Sequence, residues 1–288
     1  DILTQLEAMK SNDVPWESGK VLAYVYEPKA ETTAVTKAAY SMYLIENGLD
    51  PTAFPSLLKL ENELVAMAAN LLGGDEKTAG SFTSGGTESI ILAVKTARDY
   101  ARANKPEIKE PEMIVGETAH AAFHKAAHYL GVKVVMVPIN VQTYQVDPKI
   151  VEAAVTPNTI LIVGSAPSYA HGVIDPIPAL AALAKSKDIF CHVDACVGGF
   201  YLPFAKMAGY EIPPFDFSVD GVTSMSCDFH KYGYAAKGAS CVLYKNRDLR
   251  RYQIFACSSW SGYTIVNPTV LSSKSGGPLA GAWATLHH

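Results

Sequence analysis

The chain has 288 residues, 49% hydrophobic and 18% charged, which is enough apolar material for one large domain or two. Its 24 basic and 28 acidic residues leave a formal charge of -4, so no global basic field directs it to nucleic acid. No apolar run reaches the roughly 20 residues of a membrane span, the opening DILTQLEAMK lacks the plan of a signal peptide, and five cysteines without a CxxC pair read as reduced thiols of a cytoplasmic protein.

The first strong periodicity covers residues 56–72, where Leu57, Leu60, Leu64, Met67, Ala68 and Leu71 fall at helical spacing before Gly73-Gly74 ends the helix. The stretch GSFTSGG reads as a loop and is followed by a helix over 87–104. Short apolar runs then alternate with helical stretches. Strands are expected at 113–116, 133–138, 159–164, 189–195, 221–226 and 240–244, and helices at 121–130, 148–155 and 178–185. Continuous apolar strands separated by helices predict an α/β fold, a mostly parallel sheet covered on both faces. The ending GGPLAGAWATLHH reads as the opening of an apolar helix that stops without a cap, so a further C-terminal segment is expected. His287-His288 also fit the remnant of a tag.

Ligands of such sheets bind beyond the carboxyl ends of the strands, and the polar motifs fall there. In TSGGTES (83–89), glycines let the backbone approach a ligand, and the following helix start offers free N–H groups to a phosphate. A Gly-Gly turn with Thr87 as helix cap is the plain structural alternative. In HVDACVGG, Asp194 ends a buried run and could pair with a ring nitrogen, or simply cap the next turn. His120, His124 and His128 share one helical stripe, but the HExxH arrangement is missing and the stripe is too long for one ion, so no metal site is expected. His120 is better placed to stack on a flat ligand. The isolated Cys227/His230 spacing, with Cys191 and His192 elsewhere, is a weaker metal pattern still.

SMSCDFHKYGYAAKGAS (224–240) places His230-Lys231 at a strand end and a second lysine, Lys237, in the glycine-rich turn beyond. A desolvated lysine beside a second cation is expected to have a lowered pKa and to form a Schiff base with an aldehyde. Two surface lysines on a loop are the alternative. A phosphate cup, a stacking His, a ring-nitrogen Asp and a nucleophilic Lys are together what a pyridoxal 5'-phosphate site needs.

TSGGTES, HAAFHKA, HVDAC and CDFHKYGYAAKG resemble the PLP-dependent group II decarboxylase family, and within it most closely the sphingosine-1-phosphate lyases. The resemblance runs from about Gly19 to the end. It implies the fold type I transferase large domain, with a mostly parallel seven-stranded sheet over residues 56–288. It also implies an N-terminal segment (1–55) at a homodimer interface and a small C-terminal domain outside this chain. Carried over by residue, Lys231 resembles the lysine that carries the cofactor, Asp194 the partner of the pyridine nitrogen and His120 the stacking residue. Gly86, Thr87 and His230 resemble phosphate ligands, with Ser226 near the same phosphate. Tyr169 and Cys196 resemble positions lining the cofactor, Lys237 the lyases' extra lysine, and Tyr26 a tyrosine contributed by the partner subunit.

Departures fall on the substrate side. Asp50, in NGLDPTAFPS, stands where the lyases carry an active-site histidine, LAYVYEP differs from the usual pattern, and Lys274 stands where arginine is common. The resemblance implies a lyase that cleaves a phosphorylated long-chain base to a long-chain aldehyde and phosphoethanolamine. An amino-acid decarboxylase (aromatic amino acid or glutamate type) and a non-catalytic protein of the same fold are the alternatives.

Overall fold

The computed structural model describes residues 1–288. Its main sheet has seven strands: β1 (Ala79–Thr83), β2 (Glu112–Gly116), β3 (Lys133–Val137), β4 (Thr159–Ser165), β5 (Phe190–Asp194), β6 (Ser224–Cys227) and β7 (Ser240–Tyr244). They lie in the order β1-β7-β6-β5-β4-β2-β3. β7 runs against both neighbours, and every other adjacent pair is parallel. All seven positions of β4 and all five of β5 are buried, as expected of strands covered on both faces.

The helices are α1 (Ile2–Lys10), α2 (Ala30–Met42), α3 (Pro55–Leu71), α4 (Gly86–Asn104), α5 (Ala122–Leu130), α6 (Pro148–Ala154), α7 (Ile177–Ser186), α8 (Leu202–Met207), α9 (Arg247–Arg250) and α10 (Gly276–His287). The strands divide their side chains between two cores by alternation. Met113 and Val115 of β2, with Leu161 and Val163 of β4, pack beneath α4 and α5. Ile114 and Ile162 point the other way, into the larger core formed with α3, α7 and α10.

Three parts of the chain differ from the sequence reading. The loop expected at GSFTSGG begins with a strand: β1 is a sheet edge whose five residues pair with β7, a long-range pairing that its small, polar residues do not announce. α2 and the closing helix α10 form a pair. Gly277 lets Tyr40 approach so closely that a Cβ there would lie 2.7 Å from its ring, and Thr36 and Thr285 hydroxyls meet at 2.7 Å. The first 55 residues are therefore partly docked, through α2, on α10. A small hairpin, β8 (Phe255–Cys257) and β9 (Ile265–Asn267), stands apart from the main sheet. No helix is long and apolar enough to cross a membrane.

Candidate active site

The carboxyl ends of β4, β5 and β6 open onto a cavity of about 380 Å³, lined by residues 84–88, from the loop after β1 into the first turn of α4, and by His120, Ser165, Tyr169, Asp194, Cys196, Asp228, His230 and Lys231. A larger hollow of about 560 Å³ lies by α3 and the opening residues of β1. Its half-buried cations are already engaged there, Lys274 with Glu61 at 3.2 Å and Arg250 with the Ser81 hydroxyl at 2.9 Å. The smaller cavity is the one that gathers chemistry.

Its floor is Asp194, the last residue of β5 and 8% exposed. Oδ1 accepts from the Cys196 N–H at 3.1 Å and from the Ser226 hydroxyl at 3.2 Å. Ser226 also meets His192 Nε2 at 3.3 Å, and His192 Nδ1 lies 2.9 Å from Ser224 Oγ. Burial pushes the His192 pKa down to about 4, against the pull of Asp194, so the ring is neutral at pH 7.

One wall is the start of α4. Ser89 N–H makes the first helical bond, to Gly85 O, and the N–H groups of Gly86, Thr87 and Glu88 donate to nothing in the chain. This is the anion-binding end of a helix. Gly86 is required here: a Cβ would lie 2.8 Å from Cys196 Sγ and 3.0 Å from both oxygens of Asp228. Glu88 fixes the loop, taking the Ser84 N–H at 2.6 Å and hydroxyl at 2.7 Å on Oε2, and the Val270 N–H at 2.8 Å on Oε1. His230 stands beside Gly85. Its Nδ1 accepts from Ala239 N–H at 3.1 Å, which leaves Nε2 as the protonated nitrogen of the neutral ring. Burial lowers the His230 pKa, with Asp228 opposing and Lys237 and Lys231 reinforcing the shift.

Lys231 Nζ lies 3.0 Å from Asp228 Oδ2. Burial works to remove its proton, but Asp228, helped by Cys196 and Asp194, outweighs burial and raises its pKa above the ordinary lysine value. This corrects the expectation of a lowered pKa: the neighbour that decides is a buried carboxylate. The lowered pKa belongs to Lys237, through burial and then Lys231. Lys237 Nζ donates to His230 O at 2.9 Å, just behind the cavity wall, and sits 5.0 Å over the Tyr26 ring.

Gly86, Thr87, His120, Tyr169, Asp194, Cys196, His230 and Lys231 thus line one cavity, as the motifs suggested. Two residues named from the sequence lie outside this lining. Ser226 is fully buried in β6 and supports Asp194 from behind, so it does not line the cavity. Tyr26, expected from a partner subunit, is packed among aromatic residues of its own chain. The extended segment before α2 folds back so that Tyr26 meets Tyr232 at 5.0 Å and Tyr24 meets Tyr169 at 6.3 Å. His124 and His128 are exposed on α5. Asp50 is turned into its own loop, accepting from Thr52 N–H at 2.8 Å and hydroxyl at 2.6 Å. Asp228 and Glu88 went unnoticed in the sequence, and His192 entered only in a weak metal pattern. His192 had a signal, since it sits two residues before Asp194 in one strand and so shares its face.

Residues 16–257 match the pyridoxal-dependent decarboxylase conserved domain. The chain belongs to that family. Its cofactor is pyridoxal 5'-phosphate, and the open N–H groups at α4, the bare Cα of Gly86 and the Asp194 carboxylate suit the cofactor's phosphate and ring nitrogen. The family member is 50% identical to a sphingosine-1-phosphate lyase of Oryza sativa subsp. japonica, over 99% of this chain and 54% of that protein. It is 37% identical to a probable L-aspartate decarboxylase of Pyrococcus furiosus, over 100% of this chain and 75% of that protein. Among solved structures, the sphingosine-1-phosphate lyase of Burkholderia pseudomallei superposes with a TM-score of 0.95 at 41% identity, covering 99% of this chain and 67% of that one. The chain spans about half the length of the curated lyases it matches.

The neutral, buried His192 predicts an acid-sensitive fold. The unfolded chain takes up a proton near pH 6.5 and the folded one only near 4. Stability from this residue is therefore complete above pH 6.5 and lost as pH falls toward 4, on the order of 3 kcal/mol. Urea unfolding at pH 7.5 and 5 should show a smaller difference in His192→Gln than in the wild type. An equal difference would remove His192 from the acid response.

Proposed function

We propose that this protein is a PLP-dependent aldehyde-lyase acting on a phosphorylated long-chain base. The C3 hydroxyl gives up its proton, the C2–C3 bond breaks, C3 leaves as a long-chain aldehyde, and C2 takes up a proton to give phosphoethanolamine. When bound, the cofactor supplies an aldehyde that links to amines and a ring that accepts the electron pair of the broken bond. Asp194 would keep a proton on the ring nitrogen, and its rigid support from Ser226 and the Cys196 N–H suits a carboxylate that must not move. The N–H groups of Gly86, Thr87 and Glu88, with His230 Nε2, would hold the cofactor phosphate. His120, Tyr169 and Cys196 would contact the ring, and Lys231 would be its anchoring amine.

The observation that carries the lyase reading is Lys237. This cation stands beside the cavity, outside the phosphate cup, and spends one donor on His230 O and its face on Tyr26. Its remaining donors are free for a dianionic phosphate, which an amino acid, whose anionic groups are carboxylates, does not carry. The similarity to lyases, at 41–50% identity, supports the same choice. Decarboxylation of an amino acid is the second reading, favoured by Asp50 and by the 37% identity to the Pyrococcus protein. The buried free thiols Cys191, Cys196, Cys227 and Cys241 suit a reducing, cytoplasmic setting.

A homodimer belongs to the same proposal. Leu22, Leu44 and Ile45 of the N-terminal segment are exposed apolar side chains, as a surface awaiting a second copy would present. Sedimentation at micromolar concentration should give twice the chain mass, and Ile45→Lys should shift it toward one. A single-chain mass for the wild type would contradict the dimer.

Lys237→Ala decides the substrate question. A charge-assisted hydrogen bond contributes about 1.5–3 kcal/mol. The variant should therefore lose roughly tenfold to a hundredfold in kcat/KM on a phosphorylated sphingoid base, and far less on its dephosphorylated analogue. Equal loss on both would detach Lys237 from the phosphate, and turnover of amino acids with release of CO2 would establish the second reading.

A further inference from the structure

Three residues before Lys231, Asp228 is enclosed between the end of β6 and the start of α4, and only 2% of it is exposed. Oδ2 lies 3.0 Å from Lys231 Nζ and 3.6 Å from His230 Nε2. Oδ1 is buried and receives no hydrogen bond. Both oxygens stand 3.0 Å from the place a Cβ on Gly86 would occupy, so the helix start comes this close only because residue 86 is a glycine. A carboxylate so enclosed, with one bare oxygen, is costly unless a cation answers it. His230 is held in its neutral form by its bond from Ala239 N–H, which leaves Lys231 to answer.

The pairing bears on the lysine's chemistry. An ammonium has no lone pair, so Lys231 must lose a proton before it attacks any carbonyl carbon. We propose that Asp228 is a positioning residue acting through Lys231: it holds the free side chain as an ammonium at the end of β6, so that the lysine does not compete to return once a substrate amine has taken its place. This rests on the reading of Lys231 as the cofactor's anchor. The charged and titratable groups facing Lys231 are Asp228, Asp194 and Cys196, which favour the ammonium, and His230, Lys237 and Tyr169 at or behind the cavity wall. Burial opposes the ammonium, so its persistence depends on Asp228.

The test uses the full-length protein stripped of cofactor, with acetic anhydride as the probe. Nζ attacks the acyl carbon, the N–C bond forms, acetate leaves and the amine's proton goes to water. Peptide mass spectrometry follows Lys231 and the exposed Lys206 from pH 7 to 11. Accessibility changes the plateau of such a profile, whereas the charge environment moves its midpoint. In the wild type, Lys231 should still be gaining reactivity where Lys206 has levelled. Asp228→Asn should move the Lys231 midpoint down by about one unit or more, roughly tenfold more reactive amine at a given pH, and Asp228→Glu should restore the wild-type profile. A wild-type midpoint at or below that of Lys206 overturns the inference without any variant. So does an Asp228→Asn protein with wild-type melting and an unmoved midpoint. Borohydride reduction of the loaded wild type separates the underlying reading: an adduct on Lys231 supports it, and an adduct on another lysine defeats it whatever the acetylation profile shows.

Discussion

The rest of the site is organised around one carboxylate, Asp194, fixed at the end of the sheet's central strand. β5 is buried at every position, so its final carboxylate leaves water and must find donors. It finds one in the turn that follows, the Cys196 N–H, and one in the neighbouring strand, the Ser226 hydroxyl. That need shapes the surrounding chain. The turn after β5 must stay tight, and Gly199 permits it, since a Cβ there would lie 2.5 Å from Cys227 Cβ on β6. His192, directly behind, must remain neutral to share hydroxyls with the same strand.

The cavity's two lysines are kept distinct by geometry. Lys231 is drawn inward by Asp228 and holds its proton. Lys237 meets a backbone carbonyl and an aromatic face beside the cavity, where burial and the first lysine weaken its hold on a proton. One carboxylate three residues before Lys231 thus separates a cation held inside the cavity from one engaged by a backbone carbonyl and an aromatic ring. The same carboxylate presses against Gly86, linking the lysine turn to the phosphate-binding helix start.

Much of this could be read from residue order, for physical reasons. Apolar runs such as TILIVG are strands in the buried middle of a sheet, and their hydrophobicity announces them. β1 does not announce itself, because AGSFT becomes a strand only through pairing with β7 across more than a hundred residues. α10 was legible as a helix, but its pairing with α2 was obscured because the contact uses glycine and threonine, whose value lies in close approach. In the site, Asp194, Lys231 and the GGT turn were legible as types of residue at strand ends. Asp228 was not, since an acidic residue beside a glycine-rich turn reads as a turn former until its distance to Lys231 is known. Tyr26 was placed across an interface by resemblance; within its own chain it packs against Tyr232 and beneath Lys237.

The most direct measurement is the nitrogen-15 chemical shift of the ring nitrogen in full-length protein loaded with labelled pyridoxal 5'-phosphate. If Asp194 faces that nitrogen, the shift should be that of a protonated pyridine at pH 7 to 8 and should move toward the neutral value in Asp194→Asn. A neutral-pyridine shift in the wild type would contradict the role given to Asp194, and with it the assignment of the surrounding site.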